Sequence, residues 1–219
     1  MTNRHRGAAG AIAVLVVVTG GVVGACGVGE RPTLVEAGAI GGESGEPTGN
    51  PAADDVLGLL EGDLPGEVTA DYSITTKLGG ATRPARVVRS GDRLSVTIGD
   101  VRFLRDAVEQ TCDLATGSCE DGLQEARVSD TAVTSQFFAA APARVLRVSL
   151  ARATGEPVGS SETVAEHPVT CVAVPAGQGD ERTCATPEGL LALWDTAAVS
   201  IQLQDLTTTA DEADFATSR

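Results

Sequence analysis

The sequence predicts an α+β fold built on an antiparallel sheet of about ten short strands, with a helix before the first strand and helical matter inserted midway. Three observations carry this. Val68, Ala70, Tyr72, Ile74, Thr76 and Leu78 alternate with Thr69, Asp71, Ser73, Thr75 and Lys77. That period of two marks a strand with one buried and one wet face, as antiparallel sheets allow. Further short runs of strand-forming residues are separated by Gly, Pro, Asp and Ser at hairpin spacing. Between residues 133 and 148 the period changes, and Val133, Phe137, Ala141, Val145 and Val148 recur at helical spacing.

The chain begins with Arg4 and Arg6 and no acid, then an unbroken apolar run over residues 11–18, then small residues, the layout of a secretory signal. Val23-Gly24-Ala25-Cys26 resembles the lipobox of bacterial lipoproteins. The resemblance implies loss of residues 1–25, diacylglyceryl transfer to the Cys26 thiol, and anchoring at the extracytoplasmic face of the cell membrane. Each buried methylene of such an anchor contributes about 0.8 kcal/mol. The competing reading is an uncleaved transmembrane helix over residues 8–25. Thr19, Gly20, Gly21 and Gly24 weaken it, in a run that only just reaches spanning length.

Residues 26–49 are rich in Gly and Glu without apolar periodicity and are expected to be a disordered linker. Asn50-Pro51 then reads as a helix cap followed by proline at the first helical position. Ala53, Val56, Leu57 and Leu60 give that helix one apolar stripe, and Gly62 and Pro65 stop it. After the strand at 68–78, Gly79-Gly80 turns the chain. Residues 86–89 and 93–98 flank Ser90-Gly91-Asp92, Gly99-Asp100 leads into 101–104, and 109–113 and 118–123 flank Thr116-Gly117. Ser129, Asp130 or Thr131 can cap the inserted helix, and Pro142 predicts two short helices or one kinked helix. Residues 163–165 and 169–174 flank Glu166-His167-Pro168, 182–186 and 190–194 flank Pro187-Glu188-Gly189, and Val199, Ile201 and Leu203 mark the last strand. Residues 207–219 are polar and acidic and are expected to fray as a disordered tail.

Removing residues 1–25 takes two Arg from 16 basic residues and none of the 30 acidic ones, so the net charge moves from −14 to −16. Such a chain is a poor partner for nucleic acid or for anionic headgroups by charge alone. With 3% aromatic residues there is no stacking platform for bases or sugars. Arg83, Arg86, Arg89, Arg93, Arg102 and Arg105 nonetheless form a local positive band, read first as strand faces balanced by acids from elsewhere and second as a rim for an anionic headgroup or partner. Apart from Cys26 there are four cysteines, Cys112, Cys119, Cys171 and Cys184, an even number in an oxidising compartment. Of their three possible connectivities the local pairs Cys112–Cys119 and Cys171–Cys184 suit neighbouring strands of hairpins. With no C-x-x-C pair, a metal site is disfavoured.

No catalytic constellation is visible. With His5 lost in the signal, His167 is the one remaining histidine, in an expected turn and without a nucleophile-elbow motif. The reading is therefore no enzyme, no cofactor and no metal.

From residue 50 to 206 the order of elements resembles the LolA-like superfamily, including lipoproteins of the LppX and LprG type. So do the phrases His167-Pro168-Val169-Thr170-Cys171, Cys184 and Pro187-Glu188-Gly189-Leu190-Leu191. Glu166-His167 departs from the usual glycine of the first turn. The resemblance implies a half-open antiparallel β-barrel with helices covering its concave face, and binding of a lipid or other apolar ligand in envelope lipid or lipoprotein trafficking. Tyr72, Ile74, Phe103, Phe137, Ala141 and Val145 are the candidate ligand contacts, since core face and cavity wall coincide in such a fold. The alternative is a structural or protein-interaction lipoprotein whose cavity is filled by its own side chains. Oligomeric state is left open.

Overall fold

The alternation of residues 68–78 becomes strand β1 (Glu67–Thr76), which buries Val68, Ala70, Tyr72 and Ile74. The computed structural model describes residues 44–177 and 179–217, so the expected signal, Cys26 and the linker up to residue 43 lie outside the described residues. After β1 come β2 (Thr82–Ser90), β3 (Arg93–Ile98), β4 (Val101–Arg105), β5 (Glu109–Asp113) and β6 (Ser118–Asp121). A second series follows: β7 (Val158–Val164), β8 (His167–Ala176), β9 (Gly179–Ala185), β10 (Leu191–Asp195) and β11 (Val199–Thr207). Among the described residues these eleven strands form one antiparallel sheet in the order β6-β5-β4-β3-β2-β1-β11-β10-β9-β8-β7.

The order explains the cover. Each series is a meander, and β1 pairs with β11 to join the two. The sheet stays open, with β6 and β7 as its edges. The chain between them must travel from one edge to the other, and it does so across a face. That crossing holds a 3₁₀ helix (Glu125–Thr131) and helix α2 (Ala140–Ala151). Helix α1 (Pro51–Leu60) lies beside α2 over β7, β8 and β9. Asn50 caps α1 by accepting from the Ala53 N–H, and Ala53, Val56, Leu57 and Leu60 are its buried face, as their spacing predicted. Its close approach depends on two glycines. A Cβ on Gly159 would lie 2.6 Å from the Ala52 Cβ, and one on Gly189, at φ +81°, would lie 2.8 Å from the Leu59 carbonyl oxygen.

Both disulfides join the predicted local pairs, Cys112–Cys119 across β5/β6 and Cys171–Cys184 across β8/β9, each between directly opposed residues. In β11 the register shifts opposite Asp71/Tyr72, so the buried series Val199, Ile201, Leu203 resumes at Leu206.

Several expectations need correction. Leu78 is 93% exposed, because β1 ends at Thr76 and the turn begins before Leu78 can reach the buried face. The turn between β7 and β8 is Ala165-Glu166, at φ 48° and 67°, and His167 already pairs with Val164 as the first residue of β8. Two left-handed residues match the twist of a two-residue hairpin, here without the glycine that usually supplies them. β7 is much longer than the expected 163–165. It is an edge strand exposed along most of its length, so it has no apolar alternation to announce it. Residues 44–49, expected as linker, dock onto α1: Thr48 donates from both N–H and hydroxyl to Asp54 at 2.7 Å. The expected frayed tail carries a second 3₁₀ helix (Glu212–Phe215).

Candidate functional site

The candidate site is the apolar sheet face beneath the first 3₁₀ helix and the segment leading into α2. Tyr72 stands near its middle, paired with Ala85 of β2 on one side and Leu203 of β11 on the other. Phe137, from the turn before α2, meets the Tyr72 ring edge-on with centroids 5.1 Å apart, and Phe138 meets Phe137 in the same way at 5.9 Å. Leu191 N–H donates to the Phe138 carbonyl at 2.7 Å, tying this aromatic turn to β10. Tyr72, Ile74, Phe103 and Phe137 are all within 2% of complete burial and belong to one apolar cluster. The structure thus brings four of the six candidate contacts together in one packed apolar cluster.

Ala141 and Val145 do not join them. Both are half-buried, and α2 instead buries Pro142, Ala143, Leu146 and Arg147. The expected stripe ran through residues 133–148 as if one helix held them all. Residues before Ala140 are not part of α2, so its phase is its own. Pro142 sits in its first turn, where a missing N–H costs nothing, and neither kinks nor divides it. Ala143 and Leu146, three apart, were the legible signal of the true face, and Arg147 beside them masked it.

One polar atom stands out in this core. The Tyr72 hydroxyl is buried and has no hydrogen-bond partner among the described residues. Burial pushes its pKa well above the ordinary phenol value, so it remains a neutral donor.

The latch of the lid was missed in the sequence. Arg147 of α2 forks onto Glu61 at the end of α1, with Nε donating to Oε1 at 2.7 Å and Nη2 to Oε2 at 2.9 Å. Its Nη1 donates to the Glu46 carbonyl at 2.8 Å, and Gly45 N–H donates to Glu61 at 2.8 Å. The two side chains are only 6% and 13% exposed. Nearby, Leu60, Leu64, Arg89, Ala139, Ala143 and Arg144 line a groove of about 360 Å³ between the end of α1 and the start of α2. A second tie, Arg83 with Asp130, fastens the first 3₁₀ helix to β2.

Strand parity divides the arginine band. Arg83 and Arg89 share the lid-side parity of Ala85 and Val87, whereas Arg86, Arg93 and Arg102 belong to the opposite face. Acids meet them on both faces: Asp130 meets Arg83, Asp71 and Asp214 meet Arg86, and Glu212 and Asp106 meet Arg93. Among the described residues no three His, Cys, Asp or Glu side chains gather to hold a metal, and no helix is long and apolar enough to cross a membrane.

Fold and site together define a class: an open antiparallel sheet whose apolar face is closed by a helical lid, as the half-open architecture of the LolA-like resemblance implies. No family model matches the chain, and no curated protein matches it. Among solved structures it is similar to MucB, with a TM-score of 0.44 and 14% identity over 77% of this chain and 63% of that one. It is likewise similar to MucB in the Pseudomonas aeruginosa MucA/MucB complex, at 0.43 and 15% over 77% and 62%. A DUF1329 family protein from Desulfovibrio piger is similar at 0.33 and 8%, over 75% of this chain and 95% of that one. The chain therefore spans a little under two thirds of the MucB chains it matches.

Proposed function

We propose that this chain is an extracytoplasmic binding module, lipid-anchored through Cys26, that takes up an acyl chain or comparable apolar ligand on the lid-covered face of its sheet. The observation that carries this reading is the Tyr72 hydroxyl. An unpaired buried hydroxyl costs about 1–3 kcal/mol, and phenylalanine would fill the same space without that cost. A donor aimed into an apolar core is useful when a ligand brings the acceptor, such as an ester or carboxyl oxygen. Tyr72 and Phe137 are buried, so the ligand reaches them only when the lid moves. The groove between α1 and α2 then serves as its entrance, with Arg89 and Arg144 beside a polar headgroup. The two disulfides favour an oxidising compartment. The second reading, an interaction lipoprotein without ligand, is favoured by the same tight packing of Phe103 and Phe137.

The domain from residue 44 onward, freed of its anchor, is expected to retain lipid detectable by solvent extraction and native mass spectrometry. Tyr72→Phe should lower that retention severalfold while stabilising the empty domain by about 1–2 kcal/mol in denaturant unfolding. An empty domain that also fails to bind a fluorescent fatty-acid probe at micromolar concentration would leave the interaction reading in place. For the anchor, mass spectrometry of the membrane-extracted chain should show a diacylglyceryl adduct on an N-terminal Cys26 peptide. An unmodified chain starting at Met1 would contradict it.

A further inference from the structure

On the sheet face opposite the lid, the chain after β11 lies across the arginines of β2, β3 and β4. Thr69 donates from its hydroxyl to the Thr209 carbonyl at 2.7 Å where this segment departs. Its 3₁₀ helix (Glu212–Phe215) contributes no fully buried side chain. It covers the buried Val88, Leu104 and Cys112 of this face, and charge adds to that cover. Arg93 donates to both Glu212 oxygens at 3.3 and 2.8 Å and stacks 3.9 Å from the Phe215 ring centroid. Asp214 meets Arg86 at 3.3 Å, and Arg102 donates to the Ala216 carbonyl at 3.1 Å. On the sheet side, Asp71 shares Arg86 and Asp106 shares Arg93.

The segment covers this face without filling it. A cavity of about 450 Å³ lies beneath it, bounded by Arg86, Arg102 and Leu114 on the sheet side and by Ala213 and Ala216 on the segment. These ion pairs are only partly buried and contribute modestly to stability, and holding a run of residues in one path costs conformational entropy. The cover is therefore displaceable, and its sequence describes what the face accepts: carboxylates for Arg86 and Arg93, and one aromatic ring for the Arg93 guanidinium.

We propose that this face is a docking site for an acidic, aromatic-bearing segment of a partner protein, and that residues 208–217 occupy it in the partner's absence. Arginine clusters read acidic segments by forked hydrogen bonds and charge complementarity. A partner with larger apolar side chains where this chain has Ala213 and Ala216 fills the space and displaces the cover. The proposal is independent of whether the opposite face binds lipid.

The test uses a fluorescent synthetic peptide of residues 208–217 carrying Ala213→Leu and Ala216→Leu, titrated by anisotropy into the full chain. A full chain with Glu212→Gln, Asp214→Asn and Phe215→Ala should bind it at least about tenfold more tightly than the native chain, since its own cover no longer competes. Raising salt from about 50 to 500 mM should weaken binding severalfold. Adding Arg93→Gln to the disabled chain should remove most of it, while far-ultraviolet circular dichroism stays unchanged. Equal affinity for the two chains, no binding at millimolar peptide, or binding indifferent to salt and to Arg93→Gln overturns the proposal. So does a concentration-dependent dimer of the native chain that the disabled chain fails to form, since the segment would then serve exchange between copies.

Discussion

Arg147→Ala is expected to destabilise the domain by about 3–5 kcal/mol, because it leaves the Glu61 carboxylate largely buried without its cation. The fork between them joins the end of α1 to α2 and, through the Glu46 carbonyl and Gly45 N–H, fastens residues 44–49 to the same point. The loss should appear as a lower denaturant midpoint with an unchanged slope. A double change, Arg147→Met with Glu61→Leu, removes both charges and should recover most of the loss, since a well-packed apolar pair replaces a buried ion pair at little net cost. If Arg147→Ala costs less than about 1 kcal/mol, the pair behaves as an exposed one and the lid is not latched here. The pair also sets a pH dependence. The hydrogen bonds from Arg147, assisted by Gly45 N–H and opposed by burial, hold the Glu61 carboxyl below its ordinary 4.5. A depressed carboxyl contributes stability that is fully present above its unfolded pKa and is lost as pH falls through the folded value. The native chain should therefore lose stability below about pH 4.5 more steeply than Glu61→Gln.

Phe137→Ala is expected to cost about 3–5 kcal/mol, the transfer energy of a buried ring plus the cavity it leaves. Phe137 is 1% exposed and packed edge-on against Tyr72 of the sheet and against Phe138. The space opened lies beside the Tyr72 ring, where the proposed ligand binds. An apolar cavity of this kind remains dry and accepts small apolar molecules. The variant should thus bind the fluorescent fatty-acid probe faster than the native chain and be stabilised by it, with an unfolding temperature that rises with probe concentration. A destabilised variant that shows no stabilisation by the probe would mean that the lid-covered face is core alone, and the interaction reading would gain.

What could be read from sequence in this protein was local. The α1 stripe is one helix turn repeated, and its buried residues were all predicted by spacing. The β2/β3, β3/β4 and β5/β6 hairpins were legible because Gly and Asp mark their turns, and both disulfides because seven and thirteen residues of separation fit within single hairpins. Four of six candidate contacts were legible as apolar positions of strands or as a lid aromatic, but whether they border a cavity or one another is a matter of packing. Tertiary structure decided everything that depends on distant partners. Composition showed the arginines as one band, yet the period of two sends Arg83 and Arg86 to opposite faces, toward acids 47 and 128 residues away. The acidic end of the chain reads as solvated by itself and orders only where those guanidinia stand. The buried face of α2 depends on where the helix begins, and that start at Ala140 carries no side-chain cap for the sequence to announce. Its Arg147 is buried because Glu61 waits 86 residues earlier in the chain. Hydrophobic spacing is written along the chain, but a charge can be buried only where another part of the fold supplies its counter-charge, and that meeting exists only in three dimensions.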